Sequence, residues 1–335
     1  MKQLRLYWGE NYSPKNKAMV KRINKVLNNS LEKINLYPGG RYDKTVQLIA
    51  KYHEVNFQQI LLGNGIEGLI HIIVRSLVKK NTKVAILSPS FTVYKNAVIN
   101  YGGKVIPVPV KIKQLLDVKN VLEKIKDTSL FFLASPNNPT GHYVFNGKQI
   151  DSLLFRYKGL LVVDECYFGI GKKTVINLLK KYKNLIILRS FSKSQGLAGI
   201  RFGYAMANPY IINSLEKYSY DIDTDSINIF QHALIPIILK YADTLSKQYL
   251  IFKKSFCLKL TKQIPMIEIL PSLTTFILVK TNKESKRVFN AFKKNNILLK
   301  DTRFFPNFPK NVIMFAVPRK EDWSYFIKTL KQALA

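Results

Sequence analysis

Cysteine is nearly absent from this chain: Cys166 and Cys257 are the only two among 335 residues. That excludes a disulfide framework and a thiolate-rich metal centre, and it fits a reducing, cytoplasmic setting. The four histidines, His53, His71, His142 and His232, show no metal-ligand spacing, so no metal is implied. No apolar run reaches the roughly 18 residues of a membrane span; runs such as 233–239 are of core size. The basic start, Met1-Lys2-Gln3-Leu4-Arg5, leads into no hydrophobic stretch of the kind a secretory signal needs. Glycine and proline, 16 and 14 residues, are too few for a collagen-like or disordered chain. Acidic residues are scarce as well, 21 against 53 basic ones, for a formal net charge of +32.

What is present is a 47% hydrophobic composition, enough to bury a large core. Of the basic residues, 43 are Lys and only 10 are Arg. The Lys doublets (Lys79-Lys80, Lys172-Lys173, Lys253-Lys254, Lys293-Lys294) are spread along the whole chain. Nucleic-acid binders concentrate charge on one face or arm, so the spread reads as a solvated surface. A basic nucleic-acid-binding protein remains the reading from another functional class.

Short apolar runs at 60–62, 84–87, 104–110, 130–134, 160–163, 185–188 and 202–206 read as strands. Helical patterns at 65–79, 92–101, 118–126 and 147–157 lie between them. Near-continuous apolar strands alternating with amphipathic helices predict an α/β fold with a mainly parallel sheet flanked by helices. After about residue 240 a long helix (244–263) is predicted, then strands 267–270, 275–279, 297–300 and 313–317 and helix 284–295, a smaller α+β unit. The expected division is an N-terminal segment 1–35, a large domain 36–240 and a small domain 241–335.

Four motifs fall at strand ends, where open α/β sheets bind ligands. They are Ser135-Pro136-Asn137-Asn138-Pro139-Thr140-Gly141, Asp164-Glu165-Cys166-Tyr167, Ser190-Phe191-Ser192-Lys193 and Gly199-Ile200-Arg201-Phe202-Gly203-Tyr204. Lys193 follows an apolar strand, and a desolvated lysine is driven toward the neutral, nucleophilic form. Asp164 ends a strand and by itself could equally cap a helix. Arg201 offers a planar, permanently charged fork for a phosphate, with the hydroxyls of Ser190 and Ser192. Gly63-Asn64-Gly65-Ile66-Glu67 opens a helix whose first amides can face an anion.

In this order the motifs resemble the pyridoxal-phosphate-dependent fold-type I aminotransferases. The likeness is closest to the branch of histidinol-phosphate aminotransferase and its relative threonine-phosphate decarboxylase. The resemblance implies pyridoxal 5′-phosphate as cofactor, Lys193 as the Schiff-base lysine and Asp164 as partner of the ring nitrogen. Tyr167 and Asn138 would bond the cofactor's phenolic oxygen, and Phe91 would stack on its ring. Gly65, Ile66, Glu67, Ser190, Ser192 and Arg201 would hold its phosphate. It further implies a homodimer, with Tyr37 reaching the neighbouring subunit's phosphate, and a substrate-gating N-terminal segment carrying Asn11.

Two departures bear on the substrate. Where the family has Ser or Ala and an acidic pair, this chain has Ile66, Glu67 and Gly68. Its two substrate-gripping arginines fall on Met314 and Lys300, and Lys cannot reproduce a bidentate Arg. Three readings follow: a substrate with less negative charge at that end, a fork supplied from another direction by Arg303, Arg319 or Arg41, or a fold kept after loss of the activity. Transamination of an amino acid or amino-phosphate is the expected activity, with decarboxylation of the threonine-phosphate type as the alternative.

Overall fold

The computed structural model describes residues 3–37, 43–220 and 227–335. The chain opens with β1 (Leu4–Arg5) and the helices α1 (Lys17–Leu31) and α2 (Asp43–His53). Seven strands follow: β2 (Ile60–Gly63), β3 (Lys83–Ser88), β4 (Lys104–Pro109), β5 (Leu130–Ala134), β6 (Leu160–Asp164), β7 (Leu185–Ser190) and β8 (Gly203–Ala207). Among and after them lie α3 (Gly65–Leu77), α4 (Thr92–Asn100), α5 (Val118–Ile125), α6 (Gly147–Arg156), α7 (Phe168–Gly171) and α8 (Pro209–Tyr220). The chain finishes with α9 (Ile229–Gln263), β9 (Glu268–Leu270), β10 (Phe276–Lys280), α10 (Ser285–Lys294), β11 (Ile297–Leu298), β12 (Val312–Ala316) and α11 (Trp323–Leu334).

The large sheet runs β2-β8-β7-β6-β5-β3-β4. Its pairs from β4 to β7 are parallel, whereas β8 lies antiparallel to both β7 and β2. Residues of β3, β5, β6 and β7 are buried on both faces, as the near-continuous apolar runs require. Val84, Leu130, Val162 and Ile186 pack toward one core, and Ala85, Phe131, Leu161 and Ile187 toward the other. A second unit carries the antiparallel sheet β12-β10-β9 with its own core around Phe256, Phe292, Phe315 and Phe326.

Three features add to the expected layout. In the N-terminal segment, β1 pairs in parallel with β11 of the second unit, and Leu6 is fully buried in that unit's core. The boundary drawn at residue 240 falls inside α9, a continuous 35-residue helix. Its start is set by a capping box, Asn228 accepting from the Gln231 amide while Gln231 accepts from the Asn228 amide. The predicted strand 297–300 stops at Leu298, leaving Lys300 bridged singly to Met314.

Candidate active site

Register brings the motifs together. Ala134 of β5 pairs with Asp164 of β6, which in turn pairs with Leu188 of β7. Three parallel strands therefore end side by side, and the loops bearing Asn138, Tyr167 and Lys193 leave from one edge. They surround a cavity of about 530 Å³, a size suited to a small cofactor. Lys193, Asp164, Tyr167, Asn138, Phe91, Ile66, Glu67, Ser190, Ser192 and Arg201 all line it, together with Trp8, Gly9, Tyr94 and Cys166.

Asp164 sits at the floor. Tyr94 donates its hydroxyl proton to Oδ2 (2.5 Å) and the Cys166 amide donates to Oδ1 (2.9 Å). Burial pushes its carboxyl above the ordinary range, against the pull of these donors and of Lys193. Tyr94 is itself fixed by stacking on Phe132 (4.9 Å) and by the edge of Phe91 (5.5 Å). The Lys193 amine donates to the Trp8 carbonyl (3.0 Å). Burial depresses its pKa, the Arg201 charge adds to this, and Cys166, Asp164 and Glu67 oppose it.

At the other end, Gly65 opens α3 at φ +73°, and a Cβ there would lie 2.9 Å from the Arg201 guanidinium. The positive φ favours glycine there, and its missing side chain leaves that space to the guanidinium. Arg201 reaches Glu67 (3.1 Å), and the helix start carries no side-chain cap, which leaves its first amides beside Arg201 able to meet an anion.

The Asn138 loop is braced from the second unit. Gly141, at φ +76°, lies against Ser272, where a Cβ would come within 2.9 Å of the hydroxyl, and its carbonyl accepts from the Leu273 amide (2.6 Å). The buried Lys253 amine donates to the carbonyls of Ser272, Thr274 and Phe276 (2.9, 2.7 and 3.1 Å). Burial lowers its pKa to about 8. Thr275 in this turn gives its proton to the Gly9 carbonyl (2.8 Å).

Two buried polar atoms here, Asn138 Oδ1 and the Tyr167 hydroxyl, have no hydrogen-bond partner. Such orphans are costly unless a ligand completes them. The buried Asp164 carboxylate likewise makes no ion pair among the described residues. A group with a cationic ring N–H, a hydroxyl oxygen and a phosphate would satisfy all three corners, and pyridoxal phosphate is such a group.

The family described as aminotransferase class I and II matches residues 2–303. The chain belongs to the class I and II aminotransferases. It is 32% identical to the histidinol-phosphate aminotransferase of Thermoanaerobacter pseudethanolicus over 320 residues, 94% of this chain and 89% of the relative. Among solved structures, the histidinol-phosphate aminotransferase of Sinorhizobium meliloti in complex with pyridoxal-5′-phosphate superposes with a TM-score of 0.84 at 20% identity, covering 99% and 90% of the two chains. The L-threonine-O-3-phosphate decarboxylase of Porphyromonas gingivalis gives 0.78 at 22% identity, covering 98% of each. This aminotransferase therefore shares the α/β architecture of those proteins.

Not every expected residue of the aminotransferase joins the cavity. Tyr37 is 89% exposed. Asn11 is buried outside the cavity lining, donating to the Ser194 carbonyl (2.7 Å) and accepting from the Ser13 amide (2.8 Å), so it staples the N-terminal segment to the Lys193 loop. Arg303 is turned back on Asp301 through two contacts (2.8 and 2.5 Å) and over the Phe289 ring. Arg41 lies outside the described residues. Met314 is fully buried among Leu278, Phe305 and Val312. Lys300 rests over Phe305 (5.7 Å), its pKa lowered by burial and then by the charge of Lys193.

Sequence reasoning missed Tyr94, although Pro89-Ser90-Phe91-Thr92-Val93-Tyr94 places it one helical turn after Phe91. It also missed the buried pair of Arg189 and Glu165, whose contacts are 2.7 and 3.0 Å. Each is the immediate neighbour of a named site residue, Ser190 and Asp164. Arg189 Nη1 also faces His53 Nδ1 (3.2 Å), and burial followed by that positive charge depresses the imidazole to about 3. No signal in the sequence marked the Trp8 carbonyl, which is a backbone group.

Proposed function

We propose that Lys193 is the reactive amine of this aminotransferase and that its amino donor is an amino-phosphate of the histidinol-phosphate type. The observation that carries the assignment is the pair of orphaned atoms, Asn138 Oδ1 and Tyr167 OH, facing a cavity that also holds a buried carboxylate and a desolvated lysine. When bound, pyridoxal phosphate supplies an aldehyde and an electron-withdrawing ring conjugated to the substrate's α-carbon.

This chain's side chains do the rest. Asp164, held by Tyr94 and the Cys166 amide, is the acceptor for a ring N–H and keeps that proton in place. Tyr167 and Asn138 set the hydrogen bonding of the phenolic oxygen. The first amides of α3, with Arg201, Ser190 and Ser192, anchor the phosphate, and Phe91 covers a ring face. Lys193, depressed toward the neutral form by burial, takes a proton at Nζ and returns it at a neighbouring carbon. The Trp8–Gly9 segment lines the cavity beside Lys193. The relatives' name, histidinol-phosphate aminotransferase, supports the substrate class. The almost fully exposed Tyr37 supports a homodimer in which that ring enters the partner's site, and the scarcity of cysteine supports a cytoplasmic enzyme.

The test is borohydride reduction of the protein loaded with pyridoxal phosphate, with peptide mapping, followed by assay with histidinol phosphate and a 2-oxo acid. A reduced adduct on Lys193, absent in Lys193→Ala, and amino transfer to the oxo acid are expected. An adduct elsewhere overturns the lysine assignment. Release of carbon dioxide from an amino-acid phosphate, without amino transfer, would establish the decarboxylase instead.

A further inference from the structure

We infer that the anionic end of the substrate is held in a groove beside the cofactor cavity, with Arg319 as its guanidinium fork. This deepens the amino-phosphate reading above and rests on it. The need arises from Met314, which places a fully buried apolar side chain inside the second unit. Lys300 is a point charge over Phe305, and Arg303 is committed to Asp301. Neither offers a free planar fork.

Arg319 does. The groove encloses about 540 Å³ and shares Glu10, Ala198 and Gly199 with the lining of the cofactor cavity, so one bound molecule can extend across both. Lys15, Arg319 and Lys320 supply positive charge there. Of the two carboxylates, Glu10 is engaged by the Tyr12 hydroxyl (2.6 Å) and Arg5 (3.6 Å), while Glu321 lies beside the cations. Arg319 makes no ion pair among the described residues, and its guanidinium sits over the Tyr12 ring at 5.7 Å.

Its root is fixed from both sides. The Trp323 indole donates to the Pro318 carbonyl (3.0 Å), and the Asp322 amide donates to the Arg319 carbonyl (3.0 Å). A fork held in place from a rigid turn suits a phosphate monoester, whose oxygens it can meet two at a time.

The decisive experiment measures calorimetric affinity of the holoenzyme for histidinol phosphate and for histidinol, in wild type, Arg319→Met and Arg319→Lys, with steady-state kinetics beside it. Wild type is expected to bind the phosphorylated amine at least about tenfold more tightly, since a charged hydrogen-bonded contact carries at least that discrimination. Arg319→Met should lose that preference through KM, with kcat and histidinol binding retained, and Arg319→Lys should recover part of it. Arg319→Met keeping the full preference overturns the groove while leaving the substrate class intact. Equal weakening of both amines assigns Arg319 a structural role and also overturns it. A wild type that does not distinguish the two amines sinks the amino-phosphate reading itself, and the groove with it.

Discussion

Tyr94 shows how one hydroxyl governs a site it does not chemically serve. Its bond to Asp164 (2.5 Å) opposes the burial that pushes this carboxyl up. In Tyr94→Phe the carboxyl should rise further and hold a ring N–H less well. Hydrogen bonds to charged groups contribute about 1.5–3 kcal/mol, so affinity for pyridoxal phosphate should fall about tenfold or more in a fluorescence titration. An unchanged affinity would show that the Cys166 amide suffices. His53 gives a pH signature. Its folded pKa of about 3 lies below the ordinary imidazole value, so below about pH 6.5 the unfolded chain takes up a proton that the folded one refuses. Stability is full above that pH and falls as pH drops toward 3. Relative to its value at about pH 7, the stability of wild type at about pH 5 should fall about 2 kcal/mol more than that of His53→Gln in urea unfolding; parallel curves would refute the assignment.

At the scale of elements, the site is an alignment of strand ends, and the ion pair Arg189–Glu165 pins two of them. Both groups are buried, and Thr174 and the Val175 amide complete Glu165. Removing one partner of such a pair leaves an unpaired buried charge, at about 3–5 kcal/mol. Arg189→Met should therefore be strongly destabilised in denaturant unfolding, while Arg189→Met with Glu165→Leu should recover most of the loss. Equal instability of both variants would place the effect in packing over Phe168 (3.8 Å) instead. The strands themselves were legible: every expected strand of the large sheet forms within two residues of its anticipated ends, because burial on both faces writes a continuous apolar run. Helix α9 was half legible. Its first half, which is apolar and contains Pro236, shows no amphipathic period, and a proline reads as a break because it cannot donate to the carbonyl four residues back. Lys193, Asp164 and Asn138 were readable as motifs, whereas the bracing by Lys253 joins residues 19 to 23 apart through backbone carbonyls, which leave no mark in a sequence.

At the scale of the molecule, 53 basic residues face 21 acidic ones, and most ion pairs between described residues are exposed. Such a surface repels itself, and screening shortens the reach of that repulsion from about 30 Å at 0.01 M salt to about 8 Å at 0.15 M. The thermal midpoint should accordingly rise with sodium chloride over this range; a flat or falling midpoint would mean that attractive pairs govern the surface. The two units are joined by α9 and by the N-terminal strand, which crosses from the core of the second unit to the mouth of the cavity. There the Trp8 carbonyl takes its hydrogen from Lys193. A nitrogen that forms a double bond to carbon keeps at most one hydrogen, so an engaged Lys193 serves Trp8 poorly. Blocking that amine should therefore release the segment 3–10 from its contact at the Trp8 carbonyl. Trp8, with its indole half in solvent and flanked by Tyr7 and Arg5, would report that release as light.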